Sequence, residues 1–328
     1  MRMRGGRKNT SLKLFLILLT GVVLTLLSGC APEEAKRDTE IEARRTAHSD
    51  TSLRLVYPEW SSEIASAHLM QAVLQERLGY RVQLVPVKIE EMWRRVAEGE
   101  ADILTGAWLP TTHSGYYAQY REQLEDLGAN LVGARIGLVV PTVKPGRQTG
   151  DSGKTGRELV TIRSISELAE SVDKFDGRII GIESGAGVVV RTLEALEVYD
   201  LEDAYHLVSS DEERMLSRLS RAVQDGEWIV FTGWKPHWVF ELYNLRFLDD
   251  PENVFGGEES IHTMVRKNFK DEEPLAYKVL QRISYQPTDL ERLMRWIHED
   301  EQDDAYAQAL RWIEVHSEMV DDWVQGLE

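Results

Sequence analysis

The chain has one cysteine in 328 residues, so no intramolecular disulfide can hold it. Basic residues are scarce: 38 Lys and Arg stand against 55 Asp and Glu, a formal charge of −17. That balance argues against a nucleic-acid partner, whose phosphates demand a basic face. The histidines, at 48, 68, 113, 206, 237, 262, 298 and 316, are scattered. No pair has helical ligand spacing beside a carboxylate cluster, so no metal site is expected. Catalytic signatures are missing as well. Gly181-Ile-Glu-Ser184-Gly185 is out of register with the G-x-S-x-G elbow. Gly185-Ala-Gly187 followed by Val188 and Val190 lacks the last glycine of a dinucleotide fingerprint. Neither an enzyme nor a cofactor is expected.

A long membrane span is also missing. The apolar run Leu14 to Leu27 is short for one and fits the h-region of a secretory signal, after a basic segment with Arg2, Arg4, Arg7, Lys8 and Lys13. Leu27-Ser28-Gly29-Cys30 matches a bacterial lipoprotein box, which needs small residues at the cleavage point and a thiol to carry lipid. Residues 1–29 are therefore expected to be removed and Cys30 to be lipidated. The competing reading is an ordinary signal peptide with an incidental cysteine. Residues 30–52 then form a charged tether without apolar periodicity, holding a folded part off the outer face of a membrane. Without residues 1–29 the chain keeps 33 Lys and Arg against 55 Asp and Glu, a formal charge of −22. Solubility accounts for that sign, and so does life at high ionic strength.

Hydropathy patterning gives an α/β reading in two lobes. Strand Leu53–Tyr57, a helix from about Ser62 to Arg77, strand Arg81–Val87, a helix Glu90–Glu98 and strand Asp102–Leu104 follow a β-α-β-α-β order. Ser61 or Ser62 can cap the first helix, and Glu63 suits its positive end. Ala134–Pro141 reads as a strand crossing to a second lobe, and Thr142–Arg157 as a surface insertion. The same grammar recurs with strand Arg178–Ile182, a helix from Val188 to Leu196, strand Tyr205–Val208, a helix capped by Asp211, and strand Trp228–Phe231. Ile261–Val265 reads as the return crossing, and Glu273–Val324 as helices packing back on the first lobe. The lobes are thus expected at 53–139 with 265–328, and at 140–264. A ligand between them would close the hinge.

Three tryptophans carry the functional reading. Trp60, Trp108 and Trp234 follow predicted strands, and the carboxyl ends of strands face the ligand crevice in such folds. Each alone also fits a core position; together they form an aromatic box suited to a quaternary ammonium. Trp93, Trp228, Trp238, Trp296, Trp312 and Trp323 keep the core reading. The turn Gly185-Ala-Gly187-Val188 opens a helix and offers free N–H groups to a carboxylate or phosphate, or else is a tight turn with no ligand. His113 lies five residues after Trp108, and Leu109-Pro110 can return its ring to the crevice.

These residues resemble a known family. Tyr57-Pro-Glu-Trp60-Ser-Ser-Glu-Ile-Ala-Ser66, Ala107-Trp108-Leu-Pro-Thr-Thr-His113, Gly137-Leu-Val-Val-Pro141, Thr232-Gly-Trp234-Lys-Pro-His-Trp238 and Leu248-Asp-Asp-Pro251 are similar to the glycine betaine-binding proteins of ABC importers. The resemblance, from Leu53 to the C-terminus, implies a type II periplasmic-binding-protein fold and uptake of compatible solutes with an ABC permease and its ATPase. It implies that Trp60, Trp108 and Trp234 cage the ammonium, and that His113 and the N–H groups of Gly187 and Val188 take the carboxylate. The protein is expected to act as a monomer. Glu183-Ser184 departs from the Asp-Pro common in the family before the glycine turn. Choline, carnitine, proline betaine or ectoine as ligand, or a sensory role, are the rival readings.

Overall fold

Leu53 and Leu55 are almost fully buried and Ser52 is exposed, the alternation of a half-covered strand, in β1 (Ser52–Tyr57). β1 pairs in parallel with β2 (Arg81–Pro86) and, through Leu55 and Ile103, with β3 (Ile103–Leu109). The computed structural model describes residues 52–143, 158–302 and 304–327. The leader, Cys30 and almost all of the tether lie outside the described residues, as does the insertion beyond Val143.

Helices α1 (Ser61–Leu78) and α2 (Ile89–Ala97) connect these strands. α1 ends where Gly79 adopts a left-handed conformation that few other residues take readily. α3 (Ser114–Tyr120) follows β3 and leads to β4 (Leu124–Pro141), an 18-residue strand that joins two sheets. From Leu124 to Ala134, β4 runs antiparallel to β9 (Glu259–Arg266), which also pairs with β3. From Arg135 to Val139 its partner is β7 (Phe231–Lys235), and Val139 to Pro141 also meet β8 (Leu245–Phe247). Beyond β7 lie β5 (Arg178–Gly181) and β6 (His206–Ser209), both parallel. Among the described residues the strand order is β2-β1-β3-β9-β4-β7-β5-β6, with β8 on β4.

The second sheet carries α4 (Gly187–Val198) and α5 (Glu212–Asp225), then the short α6 (Val239–Leu242). Asp211 caps α5 by accepting from Arg214 N at 2.8 Å. The chain ends in α7 (Phe269–Glu272), α8 (Pro274–Arg282), α9 (Pro287–Glu299), α10 (Ala305–Val315) and α11 (Ser317–Val324). α8, α9 and α10 pack on α1, as expected. Gln75 donates to the Tyr306 hydroxyl at 2.8 Å, and Ser66 and Tyr285 share a buried hydrogen bond at 3.0 Å. Covered by strands on one side and these helices on the other, α1 is buried almost all round.

Several boundaries differ from the expectation, and long-range pairing explains them. β3 continues through Leu109 because β9 pairs with Ala107, Trp108 and Leu109. β7 starts at Phe231 and runs through Trp234 because β4 pairs there; Trp228 precedes it. Trp108 and Trp234 therefore lie one residue inside their strands rather than beyond them. β4 begins ten residues before Ala134, with irregular register around Gly128 and Gly133. Ser164 opens a 3-10 turn, Ile165–Glu167, through a capping box with Glu167. Trp228 and Trp296 are only half-buried: Lys174 Nζ lies 4.2 Å over the first ring, and the Arg311 guanidinium 4.0 Å over the second.

Candidate solute-binding site

One cavity gathers every ligand-contacting residue expected from the sequence. Trp60, Trp108, Trp234, His113, Gly187 and Val188 line it, with Ser62, Thr112, Ile136, Ile182 and Ala186. The first sheet and its connections bring Trp60, Trp108 and His113, and the second brings Gly187, Val188 and Trp234. The walls are buried: Trp60, Trp108 and Trp234 are 7%, 3% and 4% exposed, and His113 is 1% exposed.

Each indole is held differently. Trp60 donates Nε1 to Glu183 Oε1 at 2.5 Å, a contact from the start of α1 to the loop after β5. Trp108 donates Nε1 to Glu63 Oε1 at 3.0 Å. Trp234 Nε1 is buried without a partner, and the His237 ring lies 4.8 Å from the Trp234 ring. The acid expected merely to favour the end of α1 is thus buried behind the Trp108 indole, which lines the cavity. Neither Ser61 nor Ser62 caps α1 as expected: Trp60 stands at the N-cap without a side-chain cap bond, and Ser61 is used elsewhere, its N donating to Glu212 Oε2 at 2.9 Å and its Oγ to Glu212 Oε1.

His113 returns to Trp108 through a reciprocal pair of bonds. Its N–H donates to Trp108 O at 2.9 Å, and Trp108 N donates to its Nδ1 at 3.1 Å. Nδ1 is an acceptor there, so the proton of the neutral ring sits on Nε2. Burial drives the His113 pKa down to about 3, against the Gly106 carbonyl, which favours the charged ring. The ring is therefore neutral near pH 7. Trp93 and Tyr116 pack on it with centroids 6.0 and 6.1 Å away. Trp93 is core, and it also fixes a site side chain.

The loop before His113 is pinned by Glu259. Its carboxylate accepts from Thr111 N at 2.6 Å, Thr112 N at 2.8 Å and the Thr112 hydroxyl. Across the cavity, Gly187 and Val188 open α4, and the first intrahelical donors are Val189 and Val190, both to Ala186 O. The two earlier amides lie at a positive helix end and suit an anion. Gly187 is required by proximity: a Cβ there would lie 2.4 Å from the Thr112 carbonyl oxygen and Cγ2. The cavity thus has an indole wall and an N–H donor set, chemistry that fits a zwitterion.

Glu63, Glu183, Glu212 and Glu259 were not anticipated as site residues. Only Glu183 carried a signal, as the departure from the family's Asp-Pro. Among the described residues no group of three or more His, Cys, Asp or Glu is arranged to hold a metal ion, and no helix is long and apolar enough to cross a membrane.

The family described as "Substrate binding domain of ABC-type glycine betaine transport system" matches residues 51–315. The chain belongs to that family. That family is one of transport substrate-binding proteins, not of enzymes. A glycine betaine/carnitine transport binding protein of Listeria monocytogenes is 38% identical over 174 residues, 53% of this chain and 56% of that protein. The chain thus spans about half the length of that curated relative. A glycine betaine/L-proline-binding protein from Borrelia burgdorferi is 34% identical, with a TM-score of 0.76 over 84% of this chain and 97% of that one. Lactococcal OpuAC, closed around glycine betaine, is 35% identical with a TM-score of 0.74 over 84% and 100%. The fold is accordingly of the type II periplasmic-binding-protein class.

Proposed function

We propose that the protein is an extracytoplasmic receptor that captures glycine betaine, or a close relative, and delivers it to an ABC permease for osmoprotection. The observation that carries this reading is the joint presence of three indoles, His113 and the first two amides of α4 around one cavity. Trp60, Trp108 and Trp234 cage the quaternary ammonium, while His113 Nε2 and the N–H groups of Gly187 and Val188 take the carboxylate. Cation–π contacts are worth about 0.5–2 kcal/mol each. Three of them with a charge-assisted carboxylate contact support binding on the order of micromolar. Residues 1–29 are a signal peptide, lipidated Cys30 anchors the mature protein, and the receptor works as a monomer.

The lobes divide at the exchange of β4's partners. In place of the expected 53–139 with 265–328 and 140–264, the pairing favours a division between Ala134 and Arg135, with β9 wholly on the first side. Ligand contacts come from both lobes, so binding favours the closed form.

Calorimetry and tryptophan fluorescence test this reading. Glycine betaine is expected to perturb the fluorescence and to release or absorb heat on binding. Trp234→Ala is expected to abolish the fluorescence change. Tight binding by the triple Trp60/Trp108/Trp234→Ala variant would sink the cage. Choline remains a second reading, because a choline-binding protein in complex with choline is 26% identical with a TM-score of 0.72. Choline has no carboxylate, so its binding should survive His113→Ala while that of glycine betaine falls.

A further inference from the structure

Glu63 is a buried acid without a counter-charge. Its side chain belongs to α1 and the residue is 1% exposed. Oε1 accepts from Trp108 Nε1, and Oε2 is buried with no hydrogen-bond partner. Among the described residues no Lys, Arg or His forms an ion pair with it. Carboxylates are almost never fully buried unless paired. The space for this one exists because position 106 is glycine: a Cβ at Gly106 would lie 1.9 Å from Glu63 Oε2. The group it touches is a wall of the cavity, since Trp108 lines it.

Resting on the proposed reading that this cavity takes a quaternary ammonium, we infer that Glu63 is the fixed negative charge behind the cage, selecting a cationic head group over a neutral one of the same shape. The solute's ammonium is then the missing counter-charge. A carboxylate accepting the indole N–H also makes the Trp108 face a better partner for a cation, because it drives electron density into the ring. A purely structural acceptor for Trp108 Nε1 would need no charge, and glutamine would serve as well. Burial pushes the Glu63 carboxyl up to about 7, while the Trp108 and Ser62 side chains pull the other way, so the charge is fully present only above neutrality.

The test is calorimetry at pH 8 with glycine betaine and 3,3-dimethylbutanoate. The second compound keeps the carboxylate and replaces the trimethylammonium by a tert-butyl group. Glu63→Gln, which keeps an acceptor for Trp108, is expected to weaken glycine betaine roughly tenfold and to leave 3,3-dimethylbutanoate unchanged or tighter. Retained binding of the isostere also shows that the variant's site is folded. An unchanged ratio between the two compounds overturns the inference and leaves the betaine reading intact. Failure of the wild-type protein to bind glycine betaine overturns that reading, and the inference with it. A second measurement needs no variant: the wild-type preference for glycine betaine should shrink between pH 8 and pH 5.5. Tyr285, which feels the Glu63 charge from beyond α8, is held above its usual value by burial, and buried His113 beside Trp108 is held far below its own. Both stay neutral throughout, so a preference independent of pH also rejects the inference.

Discussion

His113 and Glu63 are both buried, and burial moves them in opposite directions along the pH axis. The folded protein keeps His113 neutral down to about pH 3, whereas an unfolded histidine takes its proton near 6.5. Its contribution to stability is therefore present above 6.5 and is lost as pH falls toward 3. Glu63 stays protonated up to about 7, whereas an unfolded glutamate ionises near 4.5. Its contribution is fully present below 4.5 and is lost as pH rises through 7. Between 4.5 and 6.5 the two slopes oppose. Glu63→Gln should remove the falling slope, so the variant gains on the wild type from pH 4.5 to 8 by an amount on the order of 3 kcal/mol. Thermal unfolding of unliganded protein across that range checks it. A difference between the two proteins that does not vary with pH would contradict the assignment.

At the scale of elements, the meeting of α4 with the loop before α3 sets how closely the site can shut. Gly187 has no positive φ to protect, and alanine suits the first turn of a helix at least as well. Its nearest obstacle is Thr112, which belongs to the other side of the cavity. Gly187→Ala should thus weaken solute binding by roughly tenfold or more, since overpacking costs about 1–3 kcal/mol, and leave the unliganded melting temperature nearly unchanged. An unaltered affinity would mean that the two elements separate in the bound form. Such contacts were not legible in the sequence, although the elements were. β1, α1 and β2 could be read because their alternation, helical spacing and terminal glycine are local. The ends of β3 and β7 could not, because strands β9 and β4 determine them. The same division holds in the site. Trp60, Trp108, Trp234 and His113 announce themselves through residue type and position near strand ends. Glu63 looks like an acid at a helix start until Gly106 is placed against it, and Glu259 has no local mark at all.

The whole molecule closes through polar contacts that need no solute. Glu212, at the start of α5, is 7% exposed and lies 3.1 Å from His237 Nε2, which follows β7. Its two oxygens accept from the backbone and hydroxyl of Ser61, at the first turn of α1 on the other side of the cavity. A carboxylate there also satisfies amides at a positive helix end. Burial opposes ionisation of Glu212, yet the His237 and Ser61 contacts outweigh it and hold its pKa below the ordinary value. The bridge exists only while the two halves touch, so it stabilises the closed form alone. Glu212 does not line the cavity. Its removal should therefore act on affinity through the opening equilibrium rather than through a lost solute contact. Hydrogen bonds to charged groups contribute about 1.5–3 kcal/mol. Glu212→Ala should weaken glycine betaine roughly tenfold to a hundredfold, mainly through faster release, and should weaken every solute of the site by the same factor. That uniform loss separates it from Glu63→Gln, which should change the preference between cationic and neutral solutes. Stopped-flow fluorescence with glycine betaine and 3,3-dimethylbutanoate decides between them: a release rate unchanged by Glu212→Ala would show that the bridge does not hold the molecule shut.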